Sequence, residues 1–165
     1  MFAQEIPLKR LLWAFPVALT CHNLEEAFTL PAWSKSAGLL HPPVGEVELW
    51  FALAVVTVAG YSITYVAWRY GGLWLHAAAS GWVLMLLNVF FPHVLGALLT
   101  QHYTPGLLTA VTIIVPVDTY LLYRARCERA LSSRRLLTFT LGAVLLALTT
   151  LPLLFWAGRS LASVL

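Results

Sequence analysis

Charge is scarce in this 165-residue chain, where only 10% of residues are Asp, Glu, Lys or Arg. An ordinary soluble domain carries about 25%. So few charges cannot cover a globule of this size, which excludes most soluble folds. Disorder is excluded as well, because it requires low hydrophobicity and high charge. Cysteine is almost absent. Cys21 lies in an apolar segment and Cys127 in a basic one, so no disulfide joins them. Internal repeats are lacking, which argues against an inverted-repeat transporter. No low-complexity segment occurs. No signal peptide is expected either: the first apolar segment starts at Lys9-Arg10, lacks a small-residue cleavage site and carries two glutamates.

What the chain has in abundance is apolar surface. Hydrophobic residues make up 60%, aromatics 13%, and the mean hydropathy is +0.81. A membrane-spanning helix needs about 20 predominantly apolar residues. Five stretches approach that length, at about 11–30, 49–68, 73–98, 105–123 and 136–157. The expected fold is therefore all-α: one domain over 1–165, a polytopic membrane bundle of about five transmembrane helices. Pro16, Pro92, Pro116 and Pro152 fall inside these stretches and can each kink a helix. Pro92 offers a way to fit the third stretch, which is long for one straight crossing. Between the first two helices, 31–48 forms a longer connection holding Trp33, Lys35, His41, Glu46 and Glu48, a short amphipathic element or a lid. Pro42-Pro43 argues against one continuous helix there.

Orientation follows from the basic residues. Lys9, Arg10, Arg69, Arg124, Arg126, Arg129, Arg134 and Arg135 all fall on one side of the five-helix path. Only Lys35 and Arg159 fall on the other. This predicts an N-in/C-out protein of the cytoplasmic (inner) membrane. The arginine loop reads as a topology signal rather than a nucleic-acid patch, so no nucleic-acid partner is expected.

The unusual feature is Cys21-His22-Asn23-Leu24-Glu25-Glu26-Ala27-Phe28, inside an otherwise apolar helix. At about 100° per residue, Glu25 lies about 300° from His22 and Glu26 about 40° from it. The two glutamates therefore straddle the histidine on one face. A charge at the centre of a spanning helix costs at least about 2.5–3.5 kcal/mol. Two neighbouring carboxylates cost more, since like charges oppose joint ionisation. A bound cation, a shared proton or a water-filled cavity would offset this. The alternative is that both glutamates reach the aqueous interface near Leu30.

At this motif the sequence resembles the HXXEE domain family, small bacterial membrane proteins. His22-Asn23-Leu24-Glu25-Glu26 matches its defining motif. Asn88-Val89-Phe90-Phe91-Pro92-His93 looks like its second polar block. Tyr103-Thr104-Pro105-Gly106 with Thr109-Ala110 looks like its third. The resemblance implies a compact helical membrane domain with a His/Glu site, and it supplies no reaction.

Depth selects the partners. In the expected topology His22, Glu25 and Glu26 lie in the outer half of the first helix, as do Asn88 and His93 in the third. His102 and Tyr103 lie in the outer turn. The candidate catalytic and metal-ligating residues are thus Glu25, Glu26, His22 and His93, with Asn88, His102 and Tyr103 around them. Asn88 equally suits an interhelical hydrogen bond, and His102 a plain loop position. His41 reads as a solvated loop histidine and His76 as a core or interface histidine. Asp118, on the cytoplasmic half, is expected to pair with Arg124. Trp74 and Trp82 read as packing residues or as the lining of a cavity.

Three chemistries fit the cluster. Imidazole and carboxylate ligands suit one divalent metal, zinc, iron or manganese, with an open position for water. Without a metal, one protonated and one ionised glutamate beside a histidine suit acid–base catalysis, such as isomerisation or cyclisation. Both would make the protein an enzyme for a lipophilic small molecule, a lipid or isoprenoid, delivered by the bilayer. Proton or cation transport needs a polar path across the membrane that the inner half does not supply, unless the protein oligomerises. A structural subunit with a buried His/Glu cluster is the non-enzymatic alternative.

Overall fold

The computed structural model describes residues 6–38 and 41–164, and among them every regular element is helical. A short α1 (Leu8–Leu11) leads into α2 (Ala14–Ser34). Then follow α3 (Glu46–Tyr70), α4 (Gly72–Thr100), α5 (Leu107–Cys127) and α6 (Ser133–Ala162). Helices α3 to α6 are each long and apolar enough to cross a membrane, with mean hydropathies of 1.7, 2.0, 1.4 and 2.0. The 21-residue α2, which carries the His-Asn-Leu-Glu-Glu cluster, packs against α3 and α5. The chain is a helical membrane bundle, as its composition implied.

The helices run a few residues beyond the apolar stretches that announce them. Consequently the connection expected over 31–48 shrinks to 35–45, of which residues 39 and 40 lie outside the described set. His41 is part-exposed in this loop. Its Nδ1 is 2.6 Å from the Pro42 carbonyl, and its ring lies 6.2 Å from that of Trp33.

Local chemistry fixes the corners. Glu48, in the first turn of α3, accepts a 2.6 Å hydrogen bond from the Gly45 N–H, satisfying one of the donors a helix start leaves unpaired. Its other oxygen pairs with Arg159 near the end of α6, so one buried carboxylate ties two helices together. The α3–α4 corner needs two consecutive residues at positive φ, +62° at Gly71 and +56° at Gly72, a conformation only glycine adopts freely. His76 bridges the same end of the bundle. Its Nδ1 is 2.9 Å from the Gly72 carbonyl, and its Nε2 accepts from the Ser132 N–H ahead of α6 at 3.0 Å. It is an interface histidine, as expected.

The core runs through α1, α2, α3, α4 and α5. Leu8, Leu12, Phe15, Leu19, Trp82 and Leu121 are buried together. Trp82 is thus packing, while Trp74 faces outward. A smaller group, Ala18, Val89, Ala110 and Ile114, joins α2, α4 and α5 beside the site described below. Exposed large apolar residues such as Leu141, Leu145, Leu148 and Trp156 cover α6, as lipid contact requires. One expectation is corrected. Asp118 does not pair with Arg124: it is fully buried, and neither of its oxygens has a hydrogen-bond partner among the described residues. Arg124 instead reaches Glu128 at 2.9 Å, Tyr120 and the Ile6 carbonyl. Asp118 lies on the stripe of α5 that carries Ile114 and Leu121 into the core, which takes it away from Arg124.

Candidate functional site

The site forms where α2, the break in α4 and the start of α5 meet. Helix α4 loses its regular form at Phe91–Pro92. Residues 89–94 form a π turn, and Phe91 leaves helical geometry at φ −135°, ψ 113°. Proline has no N–H to donate and crowds the preceding turn. The break has a chemical consequence. In a regular helix Asn88 and His93 would point about 140° apart. Here the Asn88 amide donates to His93 Nε2 at 2.9 Å, and His93 is buried with only 3% of its surface exposed. Thr104, from the turn before α5, donates to the His93 carbonyl at 2.9 Å and holds the broken segment in place.

Across from it, His22 is buried with 1% of its surface exposed, and the two imidazole centres lie 4.9 Å apart, edge to face. Glu26, one turn along α2, serves both rings. Its Oε1 is 3.7 Å from His22 Nε2 and 3.4 Å from His93 Nε2. Among the described residues His22 Nε2 has no hydrogen-bond partner. One ligand atom from each of His22, Glu26 and His93 falls within 4.8 Å of the others. Two ligands bound tetrahedrally at about 2.05 Å lie about 3.3 Å apart. Both contacts to Glu26 are near that edge length and the third pair lies within 4.8 Å, so the trio is a candidate ligand set for a small divalent ion once its rings draw together.

Gly106 closes the site from the α5 side, at φ +81°. A Cβ there would stand 2.7 Å from His93 Cε1, 2.9 Å from His22 Cε1 and 3.1 Å from Glu26 Cγ. Only a glycine lets the backbone turn so close to all three. Glu26, with 17% of its side chain exposed, is the most open of the three.

Glu25 sits apart from this trio. Its carboxylate accepts from the Leu108 N–H at 3.2 Å, the Thr109 N–H at 2.7 Å, the Thr109 hydroxyl at 2.5 Å and the Tyr103 hydroxyl. It caps the first turn of α5 from a neighbouring helix, where unpaired N–H groups attract an anion. The Thr109 Oγ1 also lies 3.1 Å from His22 Nδ1.

Of the residues singled out from the sequence, His22, Glu26, His93 and Asn88 therefore meet directly. Tyr103 joins through Glu25. His102 lies exposed in the turn, where its backbone contacts Thr100. Gly106 and Thr109 had no role assigned to them, although both stand in the third sequence block. Their place in that block is the signal that could have found them.

The family described as a protein of unknown function with HXXEE motif matches residues 13–121. The chain belongs to the HXXEE family. A relative in Bacillus subtilis (strain 168), named as uncharacterized protein YrkK, is 30% identical over 151 residues, covering 87% of this chain and 92% of the relative. No solved structure matches. In this HXXEE protein the motif divides its labour. His22 and Glu26 face His93, Glu25 caps α5, and Leu24 faces outward. Asn23 ties α2 to α3, donating to Thr57 Oγ1 at 2.7 Å and to the Leu53 carbonyl at 3.4 Å.

Proposed function

We propose that this protein is a membrane-embedded enzyme that binds one divalent metal ion, zinc, iron or manganese, through His22, Glu26 and His93. Its substrate class is a lipophilic small molecule. The observation that carries this reading is the convergence of three ligand atoms within 4.8 Å from two separate helices, one of them the unpartnered Nε2 of a buried histidine. Two imidazoles, one carboxylate and an open position form the arrangement that hydrolytic zinc sites use. The bound ion would polarise a substrate carbonyl or phosphoryl oxygen. The chain's own contribution is to fix the ligands, to shut one side with Gly106 and to leave Glu26 at the open edge. Leu24, Phe28 and Phe90, all exposed apolar residues near the site in sequence, suit an approach from lipid.

A second reading has one observation in its favour. The Asn88 amide occupies the His93 Nε2 lone pair at 2.9 Å. A metal must displace that bond. If it does not, Glu26 between two imidazoles remains an acid–base pair for isomerisation chemistry. Zinc titration of the detergent-purified chain against a chromophoric competitor separates the two. The metal reading expects one equivalent bound, with affinity lost in His22→Ala and His93→Ala. No binding by folded wild-type protein would leave the acid–base reading.

A further inference from the structure

We infer that Glu25 is a positioning residue that acts on His22 through Thr109. It holds the imidazole as its Nδ1–H tautomer, with the Nε2 lone pair turned toward Glu26 and His93. The consequence for metal affinity rests on the metal-site reading above; the tautomer itself does not.

Counting hydrogens fixes the tautomer. A carboxylate offers about four acceptor positions on its two oxygens. Glu25 meets four donors: two backbone N–H groups, the Tyr103 hydroxyl and the Thr109 hydroxyl. It is filled as an acceptor and has no place left for an ion. Thr109 has a single hydroxyl hydrogen. The Glu25 oxygen at 2.5 Å takes it in preference to the Gly106 carbonyl at 3.3 Å, because a charged acceptor makes the shorter and stronger bond. Thr109 Oγ1 then has only lone pairs to offer His22 Nδ1, 3.1 Å away. Nδ1 must be the donor. The ring's one remaining nitrogen, Nε2, is left as an acceptor, and it is the buried atom without a partner beside Glu26. Metal-binding histidines characteristically donate their other N–H to a carboxylate or carbonyl, and loss of that partner typically costs 10–100-fold in affinity. Here a threonine hydroxyl stands between the imidazole and the carboxylate. The backbone N–H of Thr109, also on Glu25, fixes the threonine's place in the relay.

The test uses the full chain in detergent with its histidines labelled with nitrogen-15, read without metal and then with zinc alone. Wild-type His22 is expected to show a protonated Nδ1 and an unprotonated Nε2. Thr109→Val removes the hydroxyl at nearly constant volume and should give a mixed tautomer, with zinc affinity reduced tenfold or more. Thr109→Ser keeps the hydroxyl and should restore both. Glu25→Gln, which cannot accept at every position, should behave as Thr109→Val does, and the double variant should be no worse than either single one. A protonated Nε2 in the wild-type ring overturns the inference, and that reading needs no variant. So does a Thr109→Val protein with the wild-type tautomer, or a Thr109→Ser protein with the mixed one. If wild type binds no zinc yet shows the Nδ1–H tautomer and loses it in Thr109→Val, the positioning role stands and the metal reading fails.

Discussion

Gly106→Ala probes the site through its wall rather than its ligands. Two costs add at this position. The backbone sits at φ +81°, where an L side chain pays about 1–2 kcal/mol in left-handed geometry. The new methyl would also stand 2.7 Å from His93 Cε1 and 2.9 Å from His22 Cε1. Both rings are held by hydrogen bonds, His93 by Asn88 at Nε2 and His22 by Thr109 at Nδ1. Neither can swing away without breaking a hydrogen bond, so overpacking should cost a further roughly 1–3 kcal/mol. The expected total is about 2–5 kcal/mol of unfolding free energy, read by reversible unfolding in mixed micelles. Zinc affinity should fall in parallel, since the relief available is to spread the two imidazoles. Gly72→Ala isolates the backbone cost, because Gly72 has φ +56° and nothing within 4 Å of the added carbon. Gly142→Ala is the second control: its added carbon meets nothing within 4 Å in the middle of α6, so about 1 kcal/mol of gain is expected there. Should Gly106→Ala cost no more than Gly72→Ala and keep its zinc affinity, the packing of Gly106 against the histidines would be refuted.

Three further outcomes follow from the same geometry. Glu48→Ala removes a helix-start acceptor and the buried partner of Arg159; it should destabilise the bundle by about 1–3 kcal/mol, with zinc affinity unchanged, as a paired unfolding and titration measurement would report. Gly158→Ala places a methyl 2.6 Å from the Glu48 Cα, a backbone atom that cannot step aside, so α6 should separate from α3 and a spin-label distance between their ends should lengthen. Zinc at one hundred times its dissociation constant should raise the unfolding free energy of wild type by about 2.7 kcal/mol, and His93→Ala should abolish that gain.

The membrane bundle was legible because a shortage of charge excludes most soluble folds, and because each span advertises itself by a run of apolar residues. The helix ends were less so. Glu46 and Glu48 lie inside α3, and Arg134, Arg135 and Arg159 inside α6, because charged side chains at a membrane surface extend a helix that hydropathy has already ended. At the site, helical arithmetic put both glutamates on the face of His22, straddling it; in the structure Glu26 stays beside His22 and His93, while Glu25 turns to the start of α5. That arithmetic could not assign their different tasks. Those depend on Thr109, 84 residues beyond Glu25, and on a broken α4 that brings His93 round to Asn88. A proline in a helical run signals that a kink is available, and which side chain the kink turns inward depends on the packing of α4 against α5. Asp118 shows the same gap. Its spacing from Arg124 suggested an ion pair, but six residues on a helix set the two side chains on different faces.

X-ray absorption at the metal edge of the purified, zinc-loaded protein tests the central claim most directly. Two imidazole nitrogens and one or more oxygens are expected at about 2.0–2.2 Å, with the imidazole signal lost in His22→Ala. A sulfur shell at about 2.3 Å would place the metal on Cys21 or Cys127 and contradict the His22–Glu26–His93 site, as would folded protein that retains no metal at all.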